Sequence, residues 1–294
     1  MSPLLEVKDL VKKYEKIVAV NGVSFSIESG ICFGLLGPNG AGKTTTIEVI
    51  EDVIPPTSGE IIYRGLPRSA SFRENVGIQF QQTALLSFLT VRETLETFES
   101  LYSKTHNLDE LVAMCHLKDF QHQYNDKISG GQRQRFMLAL ALINQPELIF
   151  LDEPSTGLDP QARRNLWDVI ERIKNGGKTV ILTTHYMEEA QQLCDDVAIM
   201  DYGKIIAHGS PDELIKKYSA EITVILPKKD GDGAWRELSL KYHEFADRIE
   251  INTSDLNACL EELLSKRMDL TDMTVRGSNL ENVFLNLTGR QLRE

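Results

Sequence analysis

The sequence predicts an α/β protein in which a buried, mostly parallel sheet is covered by helices. An antiparallel β portion precedes that sheet, a helical insertion interrupts it, and a small α+β domain follows it. Three observations predict this arrangement. Short, continuously apolar runs alternate with longer amphipathic segments from Leu4 to about Ala207. The stretch Thr90 to Gln145 reads as helix without a strand. Beyond Gly209-Ser210-Pro211 the pattern changes to short alternating runs.

Each element has its own signal. Leu5–Val11 and Gly22–Ile27 alternate as the two strands of a hairpin. Ile31–Leu36, Leu148–Leu151, Thr179–Thr183 and Val197–Met200 are apolar throughout and bounded by turns or polar residues, as strands buried on both faces are. Lys43–Val53 is amphipathic. Residues 90–104, 108–117 and 131–145 read as three helices, so the region from about 85 to 145 is a helical subdomain. Pro160–Lys174 has apolar residues at 166, 169, 170 and 173, a helical spacing, with Pro160 suited to a first turn and Gly176-Gly177 stopping the run. A short helix, Asp212–Lys217, leads to a boundary near Ser219, giving domains 1–219 and 220–294. In the second, Glu221–Leu226, Trp235–Leu240 and Ile249–Asn252 read as strands, while Asp255–Lys266 and Leu280–Leu287 read as helices.

Bulk composition excludes some roles. With 32 basic against 43 acidic residues the net charge is −11, the wrong sign for a general nucleic-acid binder. Residues 221–294 carry ten basic against fourteen acidic residues and no recognition motif, so they do not read as a nucleic-acid module. The four cysteines are scattered and form no Cys-x-x-Cys pair, so they read as reduced thiols rather than zinc ligands or a disulfide framework. Charged residues come too early in the chain for a secretory signal. No run approaches the roughly 20 apolar residues that span a bilayer. The chain is expected to be soluble and to meet a membrane only through a partner.

Chemistry enters at Gly37-Pro38-Asn39-Gly40-Ala41-Gly42-Lys43-Thr44, which fits the phosphate-loop pattern between an apolar strand and an amphipathic segment. Glycines let backbone N–H groups curl around phosphates, and a helix N-terminus adds partial positive charge. Lys43 is placed to reach the β- and γ-phosphates, and the Thr44 hydroxyl to ligate Mg²⁺. Further on, an apolar strand ends in Asp152-Glu153. The first carboxylate is suited to hold Mg²⁺ and the second to polarise an attacking water, a contribution of roughly 10²–10⁴-fold. Ser129-Gly130-Gly131-Gln132 opens a second amphipathic helix and supplies another anion-binding N-terminus.

Ile128-Ser129-Gly130-Gly131-Gln132 resembles the signature sequence of the ABC ATPase family, with Ile128 in place of the commoner Leu. Other positions of that family are filled in order. Tyr14 resembles the aromatic that stacks on adenine. Gln81 is similar to the glutamine that touches Mg²⁺ and water and reports to the membrane partner. Ser155-Thr156-Gly157-Leu158-Asp159 resembles the dimer-contact loop, and His185 the switch histidine at the γ-phosphate. Taken singly, Tyr14 is also a plain surface aromatic, Gln81 a loop amide and His185 a satisfied strand-end histidine.

The resemblance spans roughly residues 4–215. It implies a P-loop NTPase core that binds ATP and Mg²⁺ through Tyr14 and Gly37–Thr45, with Thr44, Asp152 and Gln81 about the metal. It implies hydrolysis by Glu153, His185 and Gln81, and contacts from Ser129–Gln132 and Asp159 to ATP held by a second copy in an ATP-bound homodimer. Leu280–Arg290 is similar to the tail of ATPases that serve drug- and antibiotic-resistance exporters, which implies a separate integral membrane permease and an indirect, peripheral place on the cytoplasmic side of the inner membrane. The alternative is a soluble ABC ATPase without a permease, acting in assembly, on nucleic acid or on the ribosome. The forms that act on nucleic acid or the ribosome usually carry two tandem cassettes or a long coiled coil, and neither is present; the C-terminal accessory domain argues against the assembly form.

Overall fold

The computed structural model describes residues 3–69, 71–80, 83–219, 222–228 and 234–289. Gln81, Glu221 and Arg290, named above, lie outside the described residues. The chain divides into two compact units, one reaching from the N-terminus to Pro211 and the other taking in Asp212–Gln291.

In the first unit, β1 (Leu5–Tyr14) and β2 (Ile17–Ile27) form a hairpin longer than the alternation alone implied, with Leu5 opposite Ile27 and Tyr14 opposite Ile17. Leu5, Val7 and Leu10 are buried, as are Val23, Phe25 and Ile27, so each strand presents one apolar face. β3 (Cys32–Leu36) is buried at every residue and runs through the glycine loop into α1 (Lys43–Ile50). β4 (Ser58–Tyr63) pairs antiparallel with β1, and β5 (Leu66–Pro67) closes that sheet in the order β2-β1-β4-β5. One helical turn, α2 (Phe72–Asn75), leads to β6 (Val76–Gln79).

The insertion holds α3 (Val91–Glu99), α4 (Leu108–Met114) and α5 (Gly130–Leu142). Each begins on a capping side chain, Thr90, Asn107 and Ser129, that accepts from first-turn N–H groups. There follow β7 (Leu148–Asp152), α6 (Pro160–Asn175), β8 (Thr179–Thr184), α7 (Met187–Leu193), β9 (Asp196–Asp201) and β10 (Lys204–Gly209). The second sheet has the order β10-β9-β3-β8-β7-β6, with every pair parallel except β10 to β9. The Phe25 and Phe33 rings stack 4.9 Å apart and join the two sheets in one core.

Strand β6 was absent from the sequence reading, and Gly77 explains both that and its packing. A Cβ there would collide with the Ala141 carbonyl, so the glycine that interrupts the apolar run also lets α5 lie against the sheet.

In the second unit, α8 (Pro211–Tyr218) precedes β11 (Ile222–Pro227), β12 (Tyr242–Glu244), β13 (Arg248–Thr253), α9 (Leu256–Ser265), β14 (Thr274–Arg276) and α10 (Leu280–Thr288). Its antiparallel sheet runs β12-β13-β11-β14 over a core of Val224, Leu226, Trp235, Ile251 and Leu263. The expected strand Trp235–Leu240 is a correction: Ala234–Glu237 is a 3₁₀ turn. Such a turn brings Trp235 and Leu238, three residues apart, to the same side, and both join the core. Helix α10 buries Leu280, Val283 and Phe284, with Leu287 half-buried. All four cysteines are free and buried. Among the described residues no helix is long and apolar enough to cross a membrane.

Candidate active site

Neighbouring parallel strands deliver the candidate residues to one edge of the sheet. Leu36 of β3 is level with Thr184 of β8, Thr183 with Asp152 of β7, and Leu151 with Gln79 of β6. Gly37, Phe80, Glu153 and His185 therefore all leave the sheet at its carboxyl edge, where ligands of open α/β sheets bind.

At the end of β3 the chain folds tightly on itself, Ala41 N–H donating to the Pro38 carbonyl at 3.1 Å. Glycine is required at Gly42, where φ is 103° and a Cβ would run into the Ala19 carbonyl. It is required at Gly37 because a Cβ would meet the Met200 carbonyl. Lys43 is 5% exposed, and its ammonium donates to the carbonyls of Gly37 at 2.9 Å and Pro38 at 3.3 Å, spanning the loop from within. Burial lowers its pKa, opposed by Glu153 and Asp152. Thr44 is exposed and Thr45 half-exposed at the first turn of α1, where helical N–H groups have no intrahelical partner.

The acids sit opposite. Asp152 is 8% exposed and accepts a short hydrogen bond from the Thr183 hydroxyl. The same threonine accepts the Glu153 N–H through its carbonyl and its hydroxyl, each at 3.1 Å. Glu153 has φ 48°, an uncommon left-handed conformation for a non-glycine residue, which the neighbouring strand holds in place. Its Oε1 lies 3.3 Å from His185 Nδ1, close enough for electrostatic contact although not aligned as a hydrogen bond. Thr156 Oγ1 donates to Glu153 Oε2 at 3.2 Å.

Burial raises the Asp152 pKa, and Glu153 adds to it, against the opposing pull of the Thr183 bond and Lys43. A carboxylate crowded by a second acid, at the same sheet edge as the phosphate loop with its exposed Thr44, offers oxygen donors of the kind that fit a hard divalent cation. Among the described residues no three His, Cys, Asp or Glu side chains cluster to hold a metal. One carboxylate and a hydroxyl, completed by phosphate oxygens and water, suit Mg²⁺ rather than a closed protein cage.

Tyr14 is 45% exposed near the tip of the β1–β2 hairpin, with the Lys12 ammonium 5.1 Å from its ring centre. Gln79 is buried and donates to Gln134 on α5 at 2.6 Å, which links β6 to the insertion and removes Gln79 from the site. Ser129 Oγ accepts from Gln132 N–H at 3.3 Å, and Gln132 Oε1 accepts from Ser129 N–H at 2.8 Å. Ser129–Gln132 share a concavity of about 210 Å³ with Gly157–Asp159, and no phosphate-loop residue lines it. Asp159 also caps α6, accepting from Gln161 and Ala162 N–H at 2.9 Å each.

The sequence reading missed Thr183 and Glu189. Glu189 is fully buried, its carboxyl raised by burial, and accepts from Ser155 Oγ, Trp167 Nε1 (2.9 Å) and Thr184. It fastens the loop after Glu153 to α6, to α7 and to the end of β8.

Comparison with known proteins bears on this geometry. The family model described as ABC transporter matches residues 20–156. The linearmycin resistance ATP-binding protein of Bacillus subtilis is 34% identical over 99% of this chain and 100% of its own length. Nod factor export ATP-binding protein I of Sinorhizobium fredii is 37% identical over 99% of this chain and 87% of its own. Among solved structures, an ATP-binding subunit of an ABC transporter aligns with TM-score 0.66 and 29% identity over 73% of this chain and 93% of that one. A dimeric cassette in a post-hydrolysis state bound to ADP and phosphate aligns with TM-score 0.63 and 25% identity over 70% and 98%.

Proposed function

We propose, for a chain that belongs to the ATP-binding proteins of ABC transporters and is an ATPase, a role in powering export through a separate membrane permease. The observation that carries the reading is the convergence of Lys43, Asp152, Glu153 and His185 at one edge of the sheet. In this role Gly37–Thr45 cradle the ATP phosphates and Tyr14 meets the base. Thr44, Asp152 and Gln81 hold Mg²⁺, which neutralises phosphate charge. Glu153 takes the proton of the attacking water, and His185 lies against the γ-phosphate.

The Ser129–Asp159 concavity faces a second copy of the chain. ATP closes such a homodimer because its γ-phosphate is then held from both sides, a differential affinity for the closed state. Hydrolysis removes that bridge and the halves part. The helical insertion, with the loop through Gln81, carries this motion to the permease, which places the chain peripherally on the cytoplasmic side of the inner membrane. Export rather than import is supported by the linearmycin resistance and Nod factor export proteins that align with nearly the whole chain, including its second unit. The cargo class is a drug, antibiotic or lipid-like compound.

The test is Glu153→Gln. It is expected to keep ATP binding, to lose at least about a hundredfold in hydrolysis, and to give an ATP-dependent dimer by light scattering. Turnover equal to that of the unaltered chain refutes Glu153 as the base. Purification from detergent extracts separates the two partner readings: a transporter subunit brings an integral membrane protein with it, and a permease-free ATPase does not.

A further inference from the structure

His185 stands at the catalytic edge with little to hold its ring. Its Nδ1 is buried and lies 3.3 Å from Glu153 Oε1, yet among the described residues no hydrogen bond fixes the imidazole. A ring that turns spends part of its time facing away from a phosphate at the loop, and a misplacement of about 1 Å costs roughly a hundredfold in rate. What packs on the ring therefore sets its aim.

Two side chains pack there in series. The centre of the Tyr186 ring lies 4.2 Å from that of His185, with the two planes 38° apart. The Arg163 guanidinium carbon sits in turn 4.7 Å from the centre of the Tyr186 ring, within the reach of a cation–π contact. The Tyr186 backbone is itself tied down, its N–H donating to Thr184 Oγ1 at 2.9 Å.

Stability gives Arg163 little reason to be there. Its side chain is only 20% exposed, its Nε is buried without a partner, and its ion pair with the surface residue Glu188 is long, at 3.8 Å. A donor left unpaired costs stability, and local costs of this kind gather where an arrangement is used. The backbone places the residue well for such a use. Arg163 N–H donates to the Asp159 carbonyl at 3.0 Å in the first turn of α6. In the same turn Ala162 packs on the Ser129–Gln132 segment, its Cβ 2.9 Å from where a Cβ on Gly131 would lie.

We infer that Arg163, through the ring of Tyr186, holds the His185 imidazole in the orientation that hydrolysis needs, so that Arg163 and Tyr186 are positioning residues of the reaction. The inference rests on the reading of His185 at the γ-phosphate and adds the pair that aims it. Because Arg163 belongs to the turn that packs on Ser129–Gln132, the aim of the histidine follows the state of that segment.

The experiment measures steady-state ATP hydrolysis by the full chain and separates kcat from KM. Arg163→Met and Tyr186→Leu are each expected to lower kcat at least about tenfold while KM for ATP stays within about twofold. The double variant is expected to lose no more than either alone, since both act on one ring. Arg163→Lys keeps the cation and Tyr186→Phe the ring, and both are expected to retain most of the turnover. Thermal melting of Arg163→Met no lower than that of the unaltered chain shows that lost turnover is not misfolding; should it melt early, the contrast between Tyr186→Phe and Tyr186→Leu carries the test. An unchanged kcat in Arg163→Met and Tyr186→Leu overturns the inference, as does a loss in Arg163→Lys and Tyr186→Phe equal to theirs, and the ATPase reading stands in either case. A His185→Ala chain with unaltered turnover overturns the placing of His185 instead, and the inference falls with it.

Discussion

Glu51→Gln in the isolated, nucleotide-free chain should remove one loss of stability that accompanies rising pH. Burial, Asp152 and Glu48 push the Glu51 carboxyl from about 4.5 up to about 8, while Arg68 and Arg73 are engaged by the neighbouring Asp52. The folded-state pKa lies above the unfolded one, so between these values the folded chain binds the extra proton. The stability this contributes is present below pH 4.5 and is lost as pH rises through 8. At 1.36 kcal/mol per unit, a full traverse is worth roughly 4–5 kcal/mol, and the interval from pH 6 to pH 8 roughly 2–3 kcal/mol. An amide does not ionise, so the variant lacks this loss and should gain on the unaltered chain by that amount across the interval.

The assay is urea unfolding at pH 6 and pH 8 in a Trp235→Phe background. Trp167 of the first unit is then the one tryptophan left to report. The expected result is a gap between the two chains that widens with pH. Parallel pH profiles, or a Gln variant that is the less stable at pH 8, would show that Glu51 is ionised and paired within the chain, and the argument from its burial would fail at its first step.

Lys43→Ala should abolish measurable ATP binding by calorimetry, because it removes both the phosphate contact and the ammonium that spans the loop; tight binding would refute the phosphate-loop assignment. Gly42→Ala places a Cβ against the Ala19 carbonyl at a positive φ, so it should lower both nucleotide affinity and melting temperature; an unchanged protein would mean that the loop relaxes at no cost. Trp167→Phe removes the 2.9 Å bond to Glu189 and leaves the space of the indole's second ring unfilled, and should destabilise by about 1.5–3 kcal/mol in urea unfolding. A loss below 0.5 kcal/mol would mean that Glu189 is adequately held by Ser155 and Thr184.

What could be read from the sequence was what chemistry forces to be contiguous. A phosphate cradle needs its glycines, lysine and threonine in one run, so Gly37–Thr44 were legible, and the buried strands were legible because both faces are apolar. Thr183 was not, because it meets Asp152 only through the register of β7 against β8. Glu51 looked like one more charged residue on an amphipathic helix, since its isolation depends on where Arg68 and Arg73 point. The Trp235–Leu240 alternation fitted a strand, and a single 3₁₀ turn satisfied the same burial. In each case the deciding partner lies far away in the chain or in the backbone path, and residue spacing carries no record of it.

The Glu189 anchor bears on how chemistry and pairing are joined. The segment from Glu153 to Asp159 is fixed at each end and in its middle: Glu153 to Thr183, Ser155 to Glu189, and Asp159 to the first turn of α6. A segment held in this way moves as a body with α6 and β8. One end of it carries the proposed base, and the other forms the concavity with Ser129–Gln132 that faces the second copy in the proposed dimer. If the proposed dimer opens at that face, the proposed base shifts with it, so turnover per chain is expected to rise with protein concentration; turnover independent of concentration would refute the coupling.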